Sequence, residues 1–204
     1  MMIMLDKGSA FAGAQTVVRG TTPLLMYSAC RSWQTEGFAL LVRHGASVRD
    51  RDTRGNTCLH NCFECIDKHD LDPLDEMRQK RDAIVYLIQQ GADVFAENSK
   101  GQSVSDIAYN PNYSKLGSPT SWIGDIWDCA LAKCGYDVSD FRRERKRKGV
   151  YDAWYTRDDF EDLWAGFDHL CPYYDPKEDD IYLSDSYGEL ASSESDAEEG
   201  GIPL

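Results

Sequence analysis

The sequence predicts an all-α fold: a short solenoid of stacked helix pairs joined by β-hairpin-like loops, closed by a small Trp-rich helical module. A disordered acidic tail follows. Three observations predict it. A pair of glycines ten residues apart recurs, Gly45 with Gly55 and Gly91 with Gly101. Four of the five tryptophans (Trp122, Trp127, Trp154 and Trp164) lie in the second half. From Asp175 to Glu199, ten carboxylates face the single cation Lys177, with serines between them.

Each glycine pair closes one unit. An amphipathic stretch ends at a glycine able to take the left-handed conformation of a helix C-terminus. A polar ribbon follows, with the second glycine at its tight turn. Thr22-Pro23-Leu24 then opens a helix, with threonine as cap and proline in the first turn. Such a helix pair cannot bury its apolar face alone, and stacking on a neighbour solves that. A partial copy occupies residues 1–19, with Gly8 twelve residues before Gly20. Met1 to Gly8 reads as the end of a helix without a partner, which predicts either a chain that continues upstream or an abbreviated cap.

Thr22-Pro23-Leu24 and Thr57-Cys58-Leu59-His60 resemble the Thr-Pro-Leu-His motif of ankyrin repeats. Gly45-Ala46 and Gly91-Ala92-Asp93-Val94 resemble the Gly-Ala-Asp-Val terminator of that family. The resemblance covers about residues 4–110, and it implies a protein-binding stack. Leu25 stands for the motif histidine in one repeat and Cys58 for the proline in the next. The third start, Ser103 to Ala108, is degenerate, as in a capping repeat. The turn glycines are 55−20=35 and 101−55=46 residues apart, against about 33 for ankyrin. An insertion near 67–80, rich in carboxylates and holding Pro73, therefore predicts a surface loop leading into a helix from Met77 to Gln90. The repeats are expected over 20–110.

Residues 113–174 are expected to form the aromatic-rich module. One helix is predicted from a Ser121 cap to Cys134, a second from a Ser139 cap to Lys148. The third opens on the capping box Thr156 with Asp159 and presents Phe160, Leu163, Trp164 and Phe167 on one face. The strings Trp127-Asp128, Gly135-Tyr136-Asp137 and Cys171-Pro172-Tyr173-Tyr174 resemble the C-terminal region of ankyrin proteins from filamentous fungi. The span 175–204 is too acidic to bury enough apolar surface to offset the entropy of ordering. Ser193 and Ser195 have acidic residues three places on and resemble acidophilic kinase substrates.

A net charge of −13 argues against a nucleic-acid binder. Apolar runs such as Phe38 to Val42 are too short to span a bilayer. Seven cysteines without framework spacing read as reduced thiols in a cytoplasmic or nuclear protein. No nucleophile elbow, phosphate loop or paired catalytic motif is present, and the sequence calls for no cofactor. Cys58, His60, Cys62, Cys65 and His69 look like zinc ligands, but they sit at structural positions of the repeat. Asp67, Asp70, Asp72 and Asp75 hint at calcium, yet lack the glycine that such a loop requires.

The expected function is non-enzymatic: a scaffold that binds a protein through its ribbon tips and concave helix face. Arg49, Arg51, Thr53, Arg54 and Asn56 make the second tip basic, and Asn98, Lys100 and Gln102 line the third. Arginine forks suit carboxylates, so the expected partner carries an acidic segment, with the acidic tail as a competitor in cis. The run Arg142, Arg143, Arg145, Lys146, Arg147 and Lys148 is a candidate nuclear import signal; a solvated helix face is the other reading. Two further alternatives are a regulatory or C-terminal piece of a larger fungal protein with its chemistry upstream, and an enzyme using the aromatic-rich module.

Overall fold

The computed structural model describes residues 20–30, 33–64, 73–110, 122–142, 150–151, 155–172 and 181–182. The expected partial repeat 1–19 lies outside them, as do Cys65, His69, Asp67, Asp70, Asp72, Arg143 to Lys148, Trp154, Ser193 and Ser195.

Seven α-helices are described: α1 Pro23–Ser28, α2 Thr35–Arg43, α3 Cys58–Glu64, α4 Pro73–Gln89, α5 Val104–Ala108, α6 Trp122–Lys133 and α7 Arg157–Trp164. They form two rows. The short helices α1, α3 and α5 stack on one another, and α2, α4 and α6 stack behind them. Each short helix also packs on its longer partner. Among the described residues this makes a short solenoid of three helix pairs, of the ankyrin type that the sequence predicts.

The two rows follow from one repeated local device. At the end of α2, Gly45 (φ 93°) bonds its N–H to Val42 O at 2.9 Å, and Ala46 N–H reaches Leu41 O at 3.0 Å. Gly91 and Ala92 repeat this on Ile88 and Leu87 at the end of α4. Gly135 (φ 83°) and Tyr136 repeat it again on Ala132 and Leu131 at the end of α6. At Gly91 and Gly135 an added Cβ would meet no atom within 4 Å. The positive φ, not crowding, requires glycine there. Two residues after each of these glycines, Ser47, Asp93 and Asp137 accept the N–H of Arg49, Phe95 and Ser139 through their side chains.

Residues 122–138 therefore complete the third pair rather than opening a separate module. The boundary expected near 110 falls inside a repeat. The start of the module's expected second helix is also corrected, while its positions 143–148 lie outside the described residues. Asp137, not Ser139, caps a single 3-10 turn, Val138–Asp140. The insertion needs a similar correction. Its second half is the start of α4, with Pro73 in the first turn, where its missing N–H costs nothing. Lys80, at the end of the insertion that was expected on the surface, is buried on that helix. Its Nζ lies 4.5 Å from the centre of the Trp33 ring, 5.4 Å from Phe63 and 5.8 Å from Trp122. Thr22 caps α1 through its backbone geometry, with no side-chain hydrogen bond.

The capping box of α7 forms as expected: Asp159 N–H donates to Thr156 Oγ1 at 3.2 Å, and Asp159 Oδ2 accepts from Thr156 N at 2.8 Å. Phe160, Leu163 and Trp164 are buried. The helix does not continue the row of α1, α3 and α5. It lies against α4 and α6, across the back of the stack. Arg81 of α4 donates to Leu163 O at 2.6 Å, and Cys129 of α6 donates to the same carbonyl at 3.4 Å. A C-terminal carbonyl of α7 is thus bonded by side chains of both helices beneath it.

Two strands add the only regular pairing among the described residues. Val150–Tyr151 (β1) runs parallel to Ile181–Tyr182 (β2). Part of the segment read as tail therefore returns to the body at 181–182. No described helix is long and apolar enough to cross a membrane.

Candidate interaction surface

The second and third ribbons are built in register. Asp52 N–H donates to Asn56 O, and 46 residues later Asn98 N–H donates to Gln102 O. Asp52 Oδ1 accepts from Arg54 N and Asn56 N. Asn98 Oδ1 accepts from Lys100 N and Gln102 N in the same way. Each short side chain holds its own turn.

The two ribbons are also tied to each other. Ser99 N–H donates to Arg54 O at 2.9 Å. Arg51 Nη1 donates to Gly55 O at 2.9 Å and to Glu97 O at 2.5 Å. Asn98 Nδ2 donates to Asn56 Oδ1 at 3.1 Å. Gly55 is required here for space as well as for φ 75°, since a Cβ would lie 2.7 Å from Ser99 Oγ and 2.8 Å from Ser99 N. His60 joins the brace from below. Thr57 N–H donates to its Nδ1 at 3.2 Å, so Nδ1 is an acceptor and Nε2 carries the hydrogen. Nε2 then donates to Gln102 O at 3.0 Å.

The eight expected contact residues thus divide. Arg49, Thr53, Arg54 and Lys100 are exposed. Arg54 shares its guanidinium with Asp52 at 3.4 Å. Arg51 is exposed but bridges the ribbons. Asn56 is buried, and Asn98 and Gln102 are half-buried within the brace. The ribbon tip has fewer free cations than its sequence suggests.

The basic run loses its first member. Arg142 bonds Asp128 through Nε at 2.7 Å and again through Nη2, with Asp125 at 3.5 Å from Nη2. Both carboxylates are fully buried, and the Arg142 side chain is only 14% exposed. Tyr155 donates to Asp125 at 2.7 Å and Tyr109 donates to Asp128 at 2.5 Å. Burial, reinforced by the Asp128 charge, pushes the Tyr109 phenol well above its ordinary range, which keeps it a donor. With no path to solvent, these carboxylates are part of the fold.

Of the residues that look like zinc ligands, Cys58, His60 and Cys62 are described, and each is buried within the fold. Both His60 nitrogens are occupied, and Cys58 Sγ donates to Val48 O at 3.5 Å. Burial pushes the Cys58 thiol up to about 12 and raises Cys62 as well. Among the described residues, no three histidines, cysteines or carboxylates converge on a common point. Iodoacetamide at mildly alkaline pH should label exposed Cys30 readily and Cys58 and Cys62 only after unfolding, as read by peptide mass mapping. An unfolded thiol ionises first, since its pKa is the lower one, so alkali favours the unfolded chain. The contribution of Cys58 to stability should be intact below pH 9 and fall as pH rises towards 12. A Cys58→Ala chain should show less of that decline in urea titrations.

Exposed aromatics are what sequence reading passed over. Phe95 is 65% exposed and Tyr136 36% exposed. Phe95 holds the loop position that Arg49 and Ser139 hold in the neighbouring repeats, so comparing the three copies would have marked it.

No protein-family model and no curated protein matches the sequence. Among solved structures, the chain is similar to the crystal structure of the ankyrin repeat domain of Bcl-3, described as a unique member of the IkappaB protein family. The TM-score is 0.41 and the identity 19%; the match covers 62% of this chain and 44% of that one. The chain spans less than half the length of that domain.

Proposed function

We propose that the chain is a non-enzymatic interaction module whose second and third ribbon tips receive an acidic segment of a protein partner. The brace between the ribbons carries this reading. Arg51, Asn56, Asn98 and His60 hold two turns rigidly side by side, while Arg49, Thr53, Arg54 and Lys100 remain exposed on them. A preorganised edge binds without the cost of ordering its loops. Its cations stand out on a chain of charge −13, where electrostatic complementarity favours encounter with carboxylates.

The triple change Arg49→Glu, Arg54→Glu and Lys100→Glu tests it and leaves Arg51 in place. Partners captured by the wild-type chain and identified by mass spectrometry should be lost with the triple variant, while circular dichroism stays the same. Recovery of the same partners by both chains would remove the ribbon tips from the interface. Removing 175–204 should tighten binding at low salt if the tail competes for the same cations.

A further inference from the structure

The ribbon-tip reading does not involve the most exposed rings among the described residues. Phe95 follows α4, Tyr136 follows α6, and Phe141 lies just past the 3-10 turn. Phe95 stacks on Phe141 with centroids 5.0 Å apart and planes at 18°. Tyr136 meets Phe141 edge-on at 5.9 Å and Phe95 edge-on at 6.3 Å. Beneath them, Phe141 meets the buried Trp127 edge-on at 6.4 Å. The result is a fixed aromatic platform with two outward-facing members. Clustered exposed rings of this kind mark contact sites more often than scattered ones do.

The charges beside the rings say what fits. Asp93 precedes Phe95 by two residues and Glu97 follows it by two; Asp137 and Asp140 lie between Tyr136 and Phe141. All four are exposed. Asp93 and Asp137 each use Oδ1 for their loop bonds. An apolar guest would leave this carboxylate rim without a partner. A guanidinium satisfies both parts, because it stacks flat on an aromatic face while its N–H fork bonds carboxylates.

We propose that the platform of Phe95, Tyr136 and Phe141, with its rim of Asp93, Asp137 and Asp140, is a second docking surface that takes an arginine-bearing basic segment of a partner protein. It is separate from the ribbon tips, which are basic and would take the opposite charge. A lysine ammonium gains less there, since it cannot stack and fork at once.

The test uses the full chain and fluorescent peptides of alternating glycine with arginine, lysine or leucine, at about 0.15 M salt so that loose attraction to the acidic tail is screened. The arginine peptide should bind about three- to fivefold more tightly than the lysine peptide. Phe95→Ser with Tyr136→Ser, both at exposed sites, should abolish that preference without changing the circular dichroism. Phe95→Arg, which copies the neighbouring Arg49, should weaken the arginine peptide most. Equal binding of the arginine and lysine peptides would overturn the proposal. So would a preference that survives the double substitution, or tighter binding of the leucine peptide. None of these outcomes depends on the ribbon-tip cations, so the two surfaces stand or fall separately.

Discussion

Arg142→Met should destabilise the protein by about 3–5 kcal/mol, the range for removing one member of a buried ion pair. The reason is what remains behind. Asp125 and Asp128 lie three residues apart on α6, both without solvent exposure. Each already accepts from a tyrosine, but neither Tyr155 nor Tyr109 brings a positive charge. Arg142 is the cation that both carboxylates share. A methionine of similar length would keep much of the packing and leave two buried anions facing each other. Against a total stability of about 5–15 kcal/mol for a domain, that is a large share. Urea denaturation followed by tryptophan fluorescence would measure it. Asp128→Asn in the same chain should restore part of the loss, because the amide still accepts from Tyr109 without carrying charge. Arg142→Met costing less than about 1 kcal/mol would mean that the pair behaves as a solvated surface bridge.

The same arginine shows where the sequence stops being legible. The glycine pairs, the helix ends and the Thr156–Asp159 capping box are local, and each was readable because its hydrogen bonds close within a few residues. The face of α7 was readable from helical spacing. Arg142 reads as the first of a basic run because its neutralising partners lie 14 and 17 residues away, on the buried side of a helix. Nothing periodic links those positions. Lys80 was legible in principle: it falls three residues after Met77 and four before Ile84, on the apolar face of α4. Its charge and the nearby carboxylates concealed that spacing. The third helix pair was hidden differently. Gly135-Tyr136-Asp137-Val138 repeats Gly91-Ala92-Asp93-Val94 after 135−91=44 residues, close to the 91−45=46 of the previous interval. Tyrosine at the alanine position and the intervening stretch 111–121 disguised the period. The placement of α7 on the backs of α4 and α6 could not be read at all, since a capping box and an apolar face fix a helix but not the surface it lands on.

Trp127→Ala should cost about 3–5 kcal/mol, because this ring occupies the point where three parts of the stack meet. It is fully buried. Its edge contacts reach Phe63 of α3 at 5.7 Å and Phe141 of the aromatic platform at 6.4 Å. Its Nε1 donates to Ser105 Oγ of α5 at 2.9 Å. Trp127→Phe separates the two contributions: it keeps most of the ring volume, loses the hydrogen bond and should cost about 1–2 kcal/mol. If phenylalanine and alanine cost the same, the polar contact dominates and the cavity matters little. The distribution of the damage is as informative as its size. In a solenoid each repeat touches only its neighbours, so a defect spreads along one dimension. Amide hydrogen exchange in Trp127→Ala should accelerate in α5 and α6, less in α3 and α4, and least in α1 and α2. The loosened floor under Phe141 should also reduce the arginine preference of the platform, although Phe95 and Tyr136 are intact. Uniform acceleration from α1 to α6 would show instead that three helix pairs are too few to behave as separable repeats, and that the stack unfolds as one cooperative unit.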